Sequence, residues 1–354
     1  MKIKVPQLYA PKAISFCCEL SEISADETYT FDFSNITNYE PFAMLLSSAA
    51  IRQFCANKNL APGQYDANYV NDKNFTYAGH MGYFQSAGFP LGRMPGEAPG
   101  GGTYIPLTKI NVEQWIQNSI QAGRCLEQVD IIESESKGLA RVLGQKNPEL
   151  CKLFQYLIRE AIRNVPEHAG TSEVWICGQY WRSRPGHPAE IAILDEGMGI
   201  MQSLCRNRRH REFISNNTEA LEWAIKPGVS ASFDPGKGDK GNNPNANSGY
   251  GLYIISEICR MTGGRFILLS ETDCLDVFPY SFYKRTTNFH GTAVAIRINT
   301  ERIQNYQEVI DAARKRGEET AKTIKNAFKQ ASIPSKGVAD GLFCREIDGL
   351  FCRS

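Results

Sequence analysis

The chain has 354 residues, of which 42% are hydrophobic and 22% are charged. These are ordinary values for a folded protein and exclude a mostly disordered chain, and the length suffices for about two domains of ~100–200 residues. Lys and Arg number 39 against 38 Asp and Glu, so the net charge is only +1 and a globally basic nucleic-acid binder is not expected.

The remaining composition predicts a cytoplasmic protein without a membrane span. No apolar run approaches the ~18 residues that a spanning helix needs, and the first residues have no apolar signal-peptide region. The 11 cysteines are odd in number and show neither a CxxC nor a Cys/His metal spacing. We therefore expect reduced, mostly buried thiols. A redox sensor at the adjacent Cys17 and Cys18 is the alternative.

The first third of the chain alternates between strand-like and helix-like stretches. In order, these are a strand at 28–34, a helix at 41–55, a strand near 68–70, a helix around 81–87, a Gly/Pro-rich loop at 88–102 and a strand at 103–110. A proline opens the first helix, as is common in a first helical turn. This alternation predicts a small α/β domain, which we place at residues 1–125.

The second domain is expected at residues 126–300, with a helical pattern over 112–138 leading into it. Its predicted elements are a helix at 147–165, strands at 173–181 and 190–194, helical pieces within 201–224, a helix at 252–262 and strands at 265–270 and 292–298. A charged helix at 300–330 and a tail make up the remainder, 301–354. The tail repeats itself at 341–345 and 349–353, with no role that the pattern assigns.

Residues 226–248 are rich in Gly, Pro, Asn and Asp and carry Lys237 and Lys240. This composition cannot bury a core, and long loops within compact domains are typically functional or disordered. The two lysines fit either the covering of a triphosphate or simple solubility.

Chemistry-bearing residues occur in four short motifs. They are Glu160 to Asn164 on a helix, Asp195 to Gly199 at a strand end, Ser248 to Leu252 at a helix start, and Gly291-Thr292 at the start of the last strand. Each motif alone is weak, but the four in this order and these contexts form a strong pattern.

Glu160 and Asn164 lie four residues apart, so both leave the same face of a helix. An amide oxygen suits Mg²⁺, which keeps several waters and shares its shell with phosphates. A carboxylate one turn earlier can accept a proton from an attacking water. A polar, solvated helix face is the alternative interpretation.

Asp195 follows a short apolar run that fits a buried strand. A carboxylate there can accept a hydrogen bond from an exocyclic amine such as that of adenine, a contribution of roughly 1.5–3 kcal/mol. Gly197 and Gly199 let a ring lie close to the backbone. A simple strand-ending turn is the alternative.

Ser248, Gly249, Tyr250, Gly251 and Leu252 open an apolar helix. Free N–H groups at a helix start, without Cβ atoms to block approach, form an anion site. The motif is neither a Walker A loop, since GxxxxGK[ST] does not occur, nor a Rossmann fingerprint, since the third glycine is missing.

With these motifs the region from about residue 147 to 298 resembles a GHKL ATPase domain, the family of type II topoisomerases, heat-shock chaperone ATPases, sensor histidine kinases and mismatch-repair ATPases. The resemblance implies an α/β sandwich that binds ATP and Mg²⁺. It implies Asn164 as the Mg²⁺ ligand, Asp195 as the adenine reader, Thr292 as its helper through water, and 226–248 as the ATP lid. It also implies contacts to nucleotide by the motif residues, which are Gly197, Gly199, Ser248, Gly249, Tyr250, Gly251 and Leu252.

By the same resemblance Glu160 is the catalytic residue that activates water. Hydrolytic members and anti-sigma-factor serine kinases have this Glu, whereas histidine kinases usually lack it. No phosphoacceptor helix precedes the domain, because His80 lies in the wrong context, and the lone His168 is interpreted as structural. Autophosphorylation on histidine is therefore not expected.

The N-terminal part, through 31–34 and 41–45, is similar to STAS-type domains, some of which are fused to such an ATPase in bacteria. The expected fold is thus a STAS-like α/β domain, a GHKL-type sandwich, and a C-terminal helix and tail. The predicted function is a regulatory, signalling ATPase that hydrolyses Mg-ATP slowly, and its nucleotide-driven lid closure is expected to signal to a partner or to its own N-terminal domain.

Two other functions stay open, a serine/threonine kinase of the anti-sigma-factor type and a nucleotide-gated scaffold without turnover. The expected partners are ATP and an unidentified protein, with homodimerisation open. A basic cluster is interpreted as a solvated helix face, with contact to phosphate or nucleic acid as the alternative, and its members are Arg206, Arg208, Arg209 and Arg211.

Overall fold

The computed structural model describes residues 1–99, 101–123, 127–231, 248–332 and 334–338. These residues form a mixed α/β protein with two sheets. Among them, no helix has the length and apolar character that crossing a bilayer requires.

The first sheet contains three parallel strands in the order β1–β2–β3. Its elements are β1 (Lys2–Lys4), α1 (Ala10–Glu22), β2 (Tyr29–Asp32), α2 (Pro41–Asn57), β3 (Tyr65–Asn68), α3 (Lys73–His80) and α4 (Tyr83–Ser86). Strand β2, helix α2 and strand β3 match the predicted α/β alternation. Strand β1 and helix α1 were not predicted, although the buried Ala13, Ile14, Cys17 and Leu20 follow a helical period.

The second sheet contains five antiparallel strands in the order β4–β5–β6–β8–β7. The strands are β4 (Tyr104–Asn111), β5 (Glu173–Tyr180), β6 (Pro188–Asp195), β7 (Arg265–Val277) and β8 (Phe282–Asn299). Strand β4 was expected to complete the N-terminal α/β unit, but it pairs with β5 instead. A propensity pattern indicates that a segment forms a strand, but it does not indicate which strand it pairs with, because tertiary packing decides the pairing.

Seven helices accompany this sheet in the described residues. They are α5 (Val112–Gln121), α6 (Gln128–Gly144), α7 (Pro148–Asn164), α8 (Ile200–Leu204), α9 (Asn217–Ala224), α10 (Gly251–Met261) and α11 (Tyr306–Ala321). The helical pattern over 112–138 is thus divided between α5 and α6, and the charged helix predicted at 300–330 is shorter than its pattern. A π-helical turn, Val165–Ala169, extends α7.

The five-stranded sheet separates two hydrophobic cores, and strand β6 shows how. Its Ile191 and Ile193 pack with the core that contains α7 and α10, whereas Ala192 and Leu194 pack with the core of the N-terminal unit. Side chains alternate between the faces of a strand, so a strand buried on both faces becomes continuously apolar. Helix α2 is buried nearly all round for the same reason, since it lies between the two sheets.

A buried ionic cluster ties the N-terminal unit to the sheet. Arg297 of β8 bonds to Glu190 of β6 at 2.6 Å and to Glu40 at 2.9 Å, and the backbone N–H of Phe42 donates to Glu190 at 3.1 Å. The neighbouring carboxylates raise the pKa of Arg297, against the opposing effect of burial. Truncating one partner would leave an uncompensated buried charge, so this cluster fixes how α2 sits on the sheet.

The eight cysteines in the described residues are all free thiols. Burial raises the pKa of Cys17 to about 12, and it also raises the pKa of Cys18. A thiol that does not ionise at neutral pH is a poor nucleophile, so the structure lends no support to a redox sensor at this pair.

Candidate functional site

A cleft on the helical side of the five-stranded sheet gathers residues from all four motifs. It encloses about 820 Å³ of empty space, the solvent at its mouth included. Its lining includes the predicted residues Asn164, Asp195, Gly249, Gly251, Leu252 and Thr292. The remaining lining is mostly apolar, a composition typical of small-molecule sites.

Asp195 is the last residue of β6 and is only 5% exposed. Its Oδ1 accepts a hydrogen bond from the backbone N–H of Gly197 at 3.0 Å. Burial raises the pKa of Asp195 to about 7, and the nearby carboxylates of Glu196 and Glu271 act in the same direction. A carboxylate has about four acceptor positions, so this one can take a further donor from a molecule in the cleft.

Thr292 lies directly opposite Asp195 in the β6–β8 pairing. Side chains directly opposite each other on neighbouring antiparallel strands lie roughly 5 Å apart at Cβ. The Ser270 hydroxyl of β7 approaches the Thr292 hydroxyl at 3.5 Å and donates to the Gly291 carbonyl at 2.9 Å. The sheet therefore places a carboxyl and a hydroxyl side by side at the cleft.

Three glycines of the motifs allow close backbone packing. Gly291 has φ +117°, and a Cβ there would lie 2.2 Å from the carbonyl oxygen of Asp195. A Cβ on Gly197 would lie 2.4 Å from the carbonyl oxygen of Ala169, and one on Gly199 would lie 2.5 Å from the Glu271 side chain. Gly197 and Gly199 do not line the cleft, but they shape the turn that holds Asp195.

Asn164 ends α7 and faces the cleft, whereas Glu160, one turn earlier, does not line it. The Oε1 of Glu160 accepts two hydrogen bonds from the Arg159 guanidinium, from Nε at 3.2 Å and from Nη2 at 2.8 Å. Its Oε2 lies beside Gly251, where a Cβ would approach it to 2.7 Å. The predicted proton acceptor is thus buried within an ion pair.

The start of α10 packs closely on its surroundings. Gly249 has φ +71°, and a Cβ there would lie 2.1 Å from the carbonyl oxygen of Val229. Ser248 and Tyr250 do not line the cleft; their side chains bond to residues Ser332 and Phe328 near the end of the described chain.

Only residues 226–231 and 248 of the predicted lid are described, so Lys237 and Lys240 lie outside the described residues, as do the repeats at 341–345 and 349–353. Val229, Ser230 and Ala231 line the cleft. A buried His210 holds this stretch, because its Nδ1 accepts from the Trp223 indole at 3.1 Å and its Nε2 therefore donates to the Ser230 carbonyl at 2.9 Å.

The basic cluster follows α8, whose Ser203 and Leu204 line the cleft. Arg206, Arg208 and Arg211 are exposed, while Arg209 is half-buried. The Nε of Arg211 donates to the carbonyl of Cys205 at 2.5 Å and so closes the turn on itself. These contacts do not identify an anionic partner.

The sequence interpretation missed several lining residues, among them His168, Met198 and Ser203. His168 was interpreted as structural, yet it faces the cleft beside Asn164. Burial lowers the pKa of His168, so its ring is neutral at pH 7. Its position four residues after Asn164 was a usable signal, and Met198 lies within the motif from Asp195 to Gly199, whereas Ser203 gave no such signal.

Helix α2 of the N-terminal unit reaches the same site from the other face of the sheet. Arg52 bonds to the carboxylate of Glu196 at 3.0 Å, and the Gln53 amide donates to Glu196 at 3.2 Å. Gln53 also pairs with the backbone of His290, donating to its carbonyl at 2.8 Å and accepting from its N–H at 3.0 Å. One helix therefore holds the residue after Asp195 and a residue just before Thr292.

Within the ranges that the structure describes, no group of three or more His, Cys, Asp or Glu residues could hold a metal ion. Asn164 is the one residue that the motifs assign to Mg²⁺, and such a site fits the ion only when phosphates and water supply the rest of its shell. No protein-family model, curated protein or solved structure matches this chain.

Proposed function

We propose that the cleft binds an adenine nucleotide with Mg²⁺. The observation that carries the proposal is that four segments distant in sequence bring Asn164, Asp195, Gly251 and Thr292 to one cleft. Asp195 is a buried carboxylate with acceptor capacity left, and an exocyclic amine is the donor that would satisfy it. This arrangement agrees with the GHKL-type sandwich that the motifs predict.

Magnesium would be held at the phosphate end by the Asn164 amide. The start of α10 supplies backbone N–H groups and a favourable helix dipole for phosphates. Glu160 lies between these two elements, since it precedes Asn164 by one helical turn and touches Gly251. Although it does not line the cleft itself, it is the residue to which we assign the proton from an attacking water.

Slow hydrolysis is the expected activity, because the Arg159 guanidinium occupies one oxygen of Glu160. An oxygen that already accepts hydrogen bonds from a guanidinium has less capacity left to accept one from an attacking water. The same contact favours the second candidate, a nucleotide-gated scaffold without turnover. In both cases Arg52 and Gln53 would relay the state of the site to the N-terminal unit, the STAS-like domain of the sequence prediction.

The experiment measures binding and turnover separately. Calorimetry with Mg-ATP should give micromolar affinity, and absence of binding would refute the proposal. Radiolabelled ATP then distinguishes release of free phosphate from label on protein, the outcome expected of a serine/threonine kinase. Glu160→Gln should lower phosphate release about 10²–10⁴-fold while sparing binding. Equal binding with no release by either form would select the scaffold.

A further inference from the structure

One segment near the end of the described chain contacts every element at the predicted phosphate end. The C-terminal segment is defined here as residues 327–332 and 334–338, which follow α11. It contacts α7, the start of α10, and the residues on both sides of 232–247.

Both described ends of the predicted lid bond to this segment. The Phe328 N–H donates to the Gly228 carbonyl at 2.8 Å. Gly228 has φ +77°, and a Cβ there would lie 2.2 Å from the Phe328 carbonyl oxygen. At the other end the Ser332 N–H donates to the Ser248 hydroxyl at 3.0 Å, and the two hydroxyls lie 3.1 Å apart. One short segment therefore bonds to Gly228 and to Ser248, which lie on the two sides of 232–247 in the sequence.

The same segment engages the helix start that is predicted to receive phosphates. The buried Tyr250 hydroxyl donates to the Phe328 carbonyl at 2.9 Å. The Ser248 hydroxyl is occupied by Ser332 and so is not available to a ligand in this arrangement. Groups expected to serve a triphosphate are thus already bonded within the chain.

Arg159 joins the C-terminal segment to Glu160. Its guanidinium is 1% exposed and donates to the carbonyls of Pro334 and Gly337, the latter at 3.1 Å. The same guanidinium binds the carboxylates of Glu160 and Glu133. Because the segment shields Arg159 from water, it strengthens the attraction that keeps Glu160 within the ion pair.

We propose that the C-terminal segment is an inhibitory strap, which must leave these positions before a bound nucleotide triphosphate is hydrolysed efficiently. The inference rests on the proposed function. Release exposes Arg159 to water, weakens its pair with Glu160, and frees Ser248 at the start of α10. The Glu160 oxygen that accepts hydrogen bonds from Arg159 is then open to a water molecule.

Two variants and a control test the strap. The first ends the chain after Ala331. The second is Gly337→Ala, since Gly337 has φ +141° and a Cβ there would lie 2.9 Å from Gln307. The control is Gly63→Ala, which places the same residue at φ +91° where no atom lies within 4 Å. Calorimetry with Mg-ATP and steady-state phosphate release are measured for all four proteins.

If the strap is inhibitory, both variants should bind Mg-ATP about as tightly as the full chain and release phosphate roughly tenfold faster. Gly63→Ala should change neither the affinity for Mg-ATP nor the rate of phosphate release. Unchanged or slower release by variants that still bind would overturn the strap and leave the proposed function standing. Failure of the full chain to bind nucleotide would refute both.

Hydrogen exchange on the unmodified chain covers the case in which the variants do not fold. The Phe328 and Ser332 amides donate to Gly228 and Ser248, so they are protected while the strap is in place. Mg-ATP should make both amides exchange faster than Mg-ADP does. Slower exchange in Mg-ATP would mean that the segment supports the bound triphosphate, and would overturn the proposal.

Discussion

Asp195→Asn should make the empty protein more stable at pH 8 while weakening nucleotide binding. The carboxyl is buried with Glu196 and Glu271 nearby, and its pKa rises from 3.8 to about 7. Between these two values the folded state keeps a proton that the unfolded state has lost. Stability of the native protein therefore falls as pH rises through this window, and the full cost is present above pH 7.

The size of this cost follows from the shift in pKa. Each unit corresponds to about 1.4 kcal/mol, so a rise in pKa from 3.8 to about 7 makes the ionisation of Asp195 within the fold cost on the order of 4 kcal/mol at pH 8. Asn has nearly the same shape and can still accept from Gly197, but it carries no charge. The free energy of unfolding of the variant should therefore exceed that of the wild type by this amount at pH 8, and the two values should be equal near pH 4.

The affinity for adenosine, in contrast to the stability, should fall in Asp195→Asn. The amide of Asn presents its own N–H groups to the exocyclic amine of adenine, and the charge-assisted bond is lost. Such bonds contribute roughly 1.5–3 kcal/mol, which corresponds to about a 10–150-fold loss of affinity. Adenosine is the ligand to use, because it has no phosphate that titrates in this range.

The assay combines urea unfolding at pH 4 and pH 8 with adenosine calorimetry. Asp32→Asn is the matched control, since Asp32 is also buried but Lys2 lowers its pKa. That variant should lose stability at pH 8 and keep its adenosine affinity. The reasoning is refuted if Asp195→Asn is no more stable than wild type at pH 8, or if it binds adenosine equally well. Wild-type affinity should itself fall about tenfold from pH 8 to pH 6 as Asp195 becomes protonated.

Three further substitutions separate the parts of the site. Asn164→Ala should weaken Mg-ATP binding about tenfold or more yet leave adenosine affinity unchanged, and equal losses for both ligands in calorimetry would argue against a metal-binding role. Gln53→Ala removes three hydrogen bonds to Glu196 and His290, so adenosine affinity should fall roughly 3–10-fold; an unchanged affinity would contradict a link through α2. Gly291→Ala should destabilise the fold by about 2–3 kcal/mol in urea unfolding, because its φ is +117° and its Cβ would meet the carbonyl oxygen of Asp195; a smaller loss would show that the strand can move apart.

Local patterns identified most of the elements and several of the residues that line the cleft. Strands β5 and β6 and helices α7 and α10 follow from their runs of apolar residues, and Asn164, Asp195 and Thr292 were chosen from short motifs at the ends of those elements. The predictions of these elements succeed because hydrophobic periodicity and helix starts depend on near neighbours in the chain. The three residues of β1 are too few to show such a period.

Contacts between distant residues lay beyond the reach of sequence patterns. The sequence determined that Glu160 and Asn164 share a helix face, since that depends only on helical spacing. Only the tertiary structure placed the carboxylate of Glu133 and the carbonyls of Pro334 and Gly337 around Arg159, and put β4 in the five-stranded sheet. Such contacts arise when burial brings remote segments together and every buried charge and carbonyl must find a partner, a condition that no local spacing encodes.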